Sequence, residues 1–83
     1  VSHEAGMTRL AMNVGSANGI AAGDVVGVLA GLAGLQREEI GAIEVLDRRI
    51  LVDVADARVH VALKKLHGIR FKGNKLSIAP ARD

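Results

Sequence analysis

The sequence predicts a small α+β domain with a split β-α-β-β-α-β order. Three observations predict it. Apolar residues alternate with a period of two in four short segments, and they recur at three- and four-residue steps in two others. The two central alternating segments are separated only by Asp47-Arg48, so they read as an antiparallel hairpin.

Each element follows from its own residues. Residues 1–6 are expected to form a flexible tail, and residues 7–82 a single domain. From Thr8 to Val14, Leu10, Met12 and Val14 share one face, and Arg9, Ala11 and Asn13 the other, as in a half-buried strand. Gly15-Ser16-Ala17-Asn18-Gly19 is loop material. Val25, Val28, Leu29 and Leu32 form one helical stripe. Asp24 suits its first turn, and Gly34 can close it in the left-handed conformation. Gly27 and Gly31 either weaken that helix or instead let it pack closely on the sheet. Ile40–Leu46 reads as the second strand. Arg49–Val54 reads as the third, with Ile50, Val52 and Val54 inward and Arg49, Leu51 and Asp53 outward. Asp56 is the expected N-cap of a second helix carrying Val59, Ala62, Leu63 and Leu66, and Gly68 ends it. Ile69–Asn74 forms a basic turn. Lys75–Ala79 is the last strand, with Leu76 and Ile78 inward, and Pro80 stops it. Right-handed crossovers place both helices on one face of a four-stranded antiparallel sheet, a ferredoxin-like arrangement. The other face is open.

Composition bounds what this domain can do. With 83 residues there is room for one domain. Nearly half of them are apolar, yet Phe71 is the single aromatic side chain, so the core must be aliphatic. The absence of Cys excludes disulfides and thiolate metal sites. No apolar run approaches a membrane span and no signal peptide is visible, so a cytoplasmic location is the default expectation. A chain that begins at Val1 is expected to be a piece of a longer protein. The net charge is only +2, but its distribution is uneven. Residues 1–56 carry four basic and eight acidic side chains. Residues 57–82 carry seven basic ones (Arg58, Lys64, Lys65, Arg70, Lys72, Lys75 and Arg82) and no acid. A basic C-terminal third points to an anionic partner, or else to a solvated basic face.

Several segments carry a family resemblance: Met7-Thr8-Arg9-Leu10-Ala11-Met12-Asn13-Val14-Gly15, Asn18-Gly19-Ile20, Gly23-Asp24-Val25-Val26-Gly27, Ile40-Gly41-Ala42-Ile43, Asp47-Arg48, Ile69-Arg70, Lys72-Gly73-Asn74-Lys75 and Ala79-Pro80-Ala81-Arg82. In that order and spacing, from Met7 to Arg82, the chain resembles the DbpA-type RNA-binding domain at the C-terminus of bacterial DEAD-box RNA helicases. The resemblance implies an RNA-recognition-motif-like (RRM-like) fold, and RNA, with structured ribosomal RNA favoured, as partner. It implies a parent ATP-dependent helicase whose separate core needs ATP and magnesium. It further implies ribosome biogenesis and the cold-shock response as cellular settings. This chain contains neither a P-loop motif nor an Asp-Glu-Ala-Asp run, so no cofactor and no catalysis are expected of it.

One departure from the RRM pattern redirects the expected contact. Ala11, Arg49 and Leu51 stand where RRMs display stacking aromatics. Each lost stack is worth about 1–3 kcal/mol per base, so phosphate contacts must carry more of the affinity. The candidate RNA-binding residues are Arg70, Lys72 and Lys75 in the basic turn, where Gly73 permits close backbone approach, and Arg48 and Arg49 on the hairpin. Arg9 and Asn13 on the open face and Arg82 beyond the last strand complete the set. Lys72→Ala is expected to weaken all RNAs alike, and Arg49→Ala to change preference among them. Lys64, Lys65 and His67 are expected chiefly to oppose the dipole of the second helix, and Phe71 to plug the core.

Two other readings stay open. Leu46 and Leu51 on the open face suit a protein-interaction or dimerisation module, although a monomeric domain is expected. Arg9 and Asn13 match in type the pair that some ferredoxin-like acylphosphate hydrolases use, but no cradle loop accompanies them. His3, His60 and His67 are scattered, which argues against a metal or acid–base site.

Overall fold

The computed structural model describes residues 6–81. Its chain order is β1 (Met7–Met12), α1 (Ala22–Leu32), β2 (Ile40–Val45), β3 (Ile50–Ala55), α2 (Val59–Leu66), β4 (Arg70–Phe71), β5 (Asn74–Lys75) and β6 (Ile78–Pro80). Short 3-10 turns span Ser16–Asn18, Arg37–Glu39 and Asp56–Arg58. The main sheet has the order β2-β3-β1-β6 with every neighbour antiparallel. This is the expected ferredoxin-like α+β architecture. Of the tail expected at residues 1–6, residues 1–5 lie outside the described residues. Gly6 is tied in, its carbonyl accepting from the Asp56 N–H at 2.9 Å.

The period-two residues do what their pattern predicts. Leu10, Met12, Ile50, Val52 and Val54 are at most 1% exposed and meet Val25 and Leu29 of α1 and Ala62 and Leu66 of α2 in one aliphatic core. Burying a side chain of this size stabilises the fold by about 1.5–3 kcal/mol. Phe71 belongs to the same core, as expected. Gly34 takes the left-handed conformation just past α1 (φ 71°).

Five local expectations are corrected. Leu32 is more than half exposed, so the α1 stripe is narrower than the sequence suggests. Gly27 and Gly31 face open space, with nothing within 4 Å of where a Cβ would stand, so they do not serve close packing on the sheet. Asp56 opens a 3-10 turn and makes no side-chain cap; its Oδ1 accepts from the Thr8 hydroxyl at 2.6 Å. The basic turn is a hairpin of its own, β4 with β5, so Lys75 lies outside the main sheet. Its tight connection is left-handed at both Lys72 and Gly73 (φ 50° and 83°), the geometry of a primed hairpin turn. Pro80 does not stop the last strand but pairs with Leu10 inside it. That is permitted because β6 is an edge strand and the missing N–H faces outward. The other outward N–H of this edge, that of Ile78, donates to His67 Nδ1 at 3.3 Å.

Candidate nucleic-acid interface

The open face of the sheet is not a row of free polar groups. Arg9 and Asp53 are direct cross-strand partners on β1 and β3. The Arg9 Nε–H donates to Asp53 Oδ1 at 3.0 Å, and Arg9 Nη1 lies 3.8 Å from Glu44 Oε1. Asp53 lies on the open face, as its alternation predicts, but is fully buried beneath this contact, and the Arg9 side chain is only 15% exposed. Arg9 is therefore a structural counter-ion. At the centre of the sheet Ala11 sits opposite Leu51, so no ring is available for a base to stack on. Arg49 precedes β3 and belongs to the turn.

Asn13 is also engaged by the fold. Its Nδ2 donates to the Lys75 carbonyl at 3.1 Å, and its Oδ1 accepts from the Ser77 N–H at 2.7 Å. It clamps the end of β1 to β5 and to the segment that follows it. Lys72 forms an ion pair with Asp24 at 3.2 Å and donates to the Gly19 carbonyl at 3.4 Å. The backbone N–H of Ala21, and then the Lys72 ammonium, hold the Asp24 carboxyl below its ordinary pKa. Lys72 thus fastens the β4–β5 hairpin to the start of α1, a role its sequence context did not reveal. Arg58 has a similar hidden role: it reaches the Ala33 and Gly34 carbonyls behind α1 and lies 3.6 Å from Glu39. Arg82 lies outside the described residues.

The remaining candidates are exposed cations. Arg48, Arg49 and Lys75 form no ion pair among the described residues, and Arg70 bonds only the Gly73 carbonyl of its own turn, at 3.4 Å. Arg48 and Arg49 line a shallow groove of about 360 Å³ together with Asn13, Ser77 and Ala79. Arg48 and Asn13 also line an adjoining groove of about 410 Å³ with Ala17 and Asn18. The Asn13 bond to the Lys75 carbonyl brings the β4–β5 hairpin to the same end of the sheet. Asn18 joins them: its Oδ1 accepts from the Gly15 N–H at 3.0 Å, and its Nδ2 donates to Asn74 Oδ1 at 3.3 Å. The loop reading of 15–19 did not single Asn18 out, although an Asn three residues after an extended glycine is a recognisable turn-closing signal.

The backbone beneath Arg48 and Arg49 is held closely. The Ser16 and Ala17 N–H groups donate to the Leu46 and Asp47 carbonyls, each at 2.8 Å, and the Leu46 N–H donates to the Arg49 carbonyl at 2.8 Å. This end of the molecule is therefore a cationic, aromatic-free surface on a fixed turn, suited to phosphate oxygens rather than to stacked bases.

Comparison with known proteins shows the family. The sequence pattern of the family described as the DbpA RNA binding domain matches residues 9–80. The chain belongs to the DbpA RNA-binding domain family. It is also 39% identical, over 70 residues, to the ATP-dependent RNA helicase DbpA of Escherichia coli (strain K12), a match covering 84% of this chain and 15% of that protein. As a DbpA RNA-binding domain, the chain is an RNA-binding module related to one part of a helicase.

Proposed function

We propose that this domain anchors structured RNA, ribosomal RNA foremost, for a separate ATP-dependent helicase core in the parent protein, and that phosphate contacts at one end of the sheet supply most of the affinity. The carrying observation is the pair Arg48 and Arg49, exposed without acidic partners among the described residues beside the grooves at Asn13, while Arg9 is held by Asp53. In this reading Lys75 and Arg70 extend the cationic surface along the β4–β5 hairpin. ATP and magnesium act in the core, not here. The domain works as a monomer in the cytoplasm, in ribosome biogenesis or the cold-shock response. Support comes from the family match and from the similarity to the helicase DbpA.

Competition binding tests the choice of RNA. A fragment of structured ribosomal RNA and a single-stranded RNA of equal length would be titrated against the chain at one salt concentration. Tighter binding of the structured fragment is expected. Equal affinity for both would contradict anchoring on structured RNA and leave only general phosphate binding.

A further inference from the structure

The turn that carries Arg48 and Arg49 rests on Gly15. This glycine is extended (φ −159°, ψ −158°), a conformation open to any residue, so its backbone does not require glycine. Its surroundings do. A Cβ at this position would stand 2.6 Å from the Asp47 carbonyl oxygen and 2.7 Å from the Arg49 nitrogen, and closer still to the Leu46 carbonyl oxygen. All three atoms are backbone, so no side-chain rotation relieves the overlap. At Gly6, Gly19, Gly23, Gly27, Gly31, Gly68 and Gly73 a Cβ would meet nothing within 4 Å, and at Gly34 it would meet only the flexible end of Arg58, at 3.9 Å. The missing side chain at Gly15 lets the next two N–H groups reach the Leu46 and Asp47 carbonyls at 2.8 Å.

We infer that Gly15 is a positioning residue for RNA binding: by admitting the β2–β3 turn against the loop after β1, it sets where Arg48 and Arg49 present their charges. The inference rests on the reading that those two arginines contact RNA. Gly15 touches no RNA. It acts through the turn, whose two arginines lie next to each other in sequence and line one groove with Asn13, Arg48 lining the adjoining one as well. A side chain here forces the turn away from the β1–α1 loop. Arg48 then loses its place beside Ala17 and Asn18, while the core beneath β1 and β3 keeps its contacts.

The test uses the 83-residue chain, one fixed stem-loop RNA and a series of salt concentrations. Four proteins are compared: wild type, Gly15→Ala, Arg48→Ala/Arg49→Ala, and the triple variant. Each neutralised phosphate contributes about 0.7 to the salt slope on single strands and about 0.9 on duplex. Gly15→Ala is expected to lower affinity roughly tenfold, the equivalent of losing one charged hydrogen bond. It should also flatten the slope toward that of the double arginine variant. In the triple variant it should add no further loss. Amide exchange should show Ser16 and Ala17 losing protection while Val52 keeps it.

The failures are separable. If the double arginine variant binds like wild type, the arginine reading falls. If that variant loses binding but Gly15→Ala keeps wild-type affinity and slope, or weakens the triple variant further, the positioning role of Gly15 is overturned. Should Gly15→Ala not fold, Ser16→Pro carries the same test. It removes the donor to Leu46 at the first position of a 3-10 turn, where proline and a preceding extended residue fit. An unchanged salt slope in that variant would overturn the inference equally.

Discussion

A guanidinium that neutralises a buried carboxylate cannot turn to a ligand without leaving that carboxylate behind. Arg9 is in this position: Asp53 is fully buried, its Oδ1 accepts from Arg9, and its Oδ2 has no partner among the described residues. Removing one member of a buried ion pair typically costs about 3–5 kcal/mol, whereas exchanging both for apolar residues is often neutral. Urea unfolding should therefore show Arg9→Ala destabilised by about that amount, with Arg9→Met/Asp53→Leu recovering most of it. RNA affinity of the folded double variant should stay near wild type. A large loss of affinity in a stable double variant would return Arg9 to the binding surface. The alternating pattern of β1 and β3 placed both residues on the open face correctly, but alternation says nothing about burial by a neighbour. Whether a residue on that face is free depends on its cross-strand partner, and the register of β1 against β3 is a tertiary fact.

At the scale of the element, α1 departs furthest from what its residue types suggest. Gly27 and Gly31 lower its helix propensity by about 1 kcal/mol each relative to Ala, and among the described residues nothing would meet a Cβ at either. Gly27→Ala and Gly31→Ala should each stabilise the domain by about 0.5–1 kcal/mol, a rise in melting temperature of several degrees for a chain of this size. A fall in melting temperature would mean that these positions are covered. The start of α1 makes a different prediction. Asp24 is held below its ordinary pKa of 3.8 by the Ala21 N–H and by Lys72. A carboxyl with a lowered folded pKa binds its proton more readily when unfolded. Its stabilising contribution is complete above about pH 4 and is lost as pH falls through the folded value. Thermal melts between pH 5 and pH 2.5 should accordingly fall less steeply for Asp24→Asn than for wild type; parallel curves would remove Asp24 from the acid response. Of the β4–β5 hairpin the sequence displayed only a basic turn, because strands of two residues are too short for any periodicity to register. The pairing of Lys72 with Asp24 joins residues 48 positions apart, beyond the reach of local pattern.

At the scale of the molecule, the basic C-terminal third divides into structural and exposed charge. Arg58 joins the end of α1 to the turn before α2, and Lys72 joins the second hairpin to the start of α1. Arg48 and Arg49, from the acidic two-thirds of the chain, are brought by the β2–β3 turn to the end of the sheet where Asn13 anchors the Lys75 backbone. The four-stranded architecture was legible because the inward residues of each strand declare themselves by alternation and the two helices by their stripes. The site was legible only in part. Residue type separates cations from acids, but which cation is already paired is decided by packing.

The dependence of RNA affinity on salt tests the central claim most directly. With Arg48, Arg49 and Lys75 on phosphates, log affinity of the chain should fall with log salt at a slope near −2 or steeper, at about 0.7 per contact on single strands. Arg48→Ala/Arg49→Ala should reduce that slope by about 1.4 at unchanged melting temperature. A nearly flat dependence, or a slope that the double substitution leaves untouched, would contradict a phosphate-binding surface at this end of the sheet.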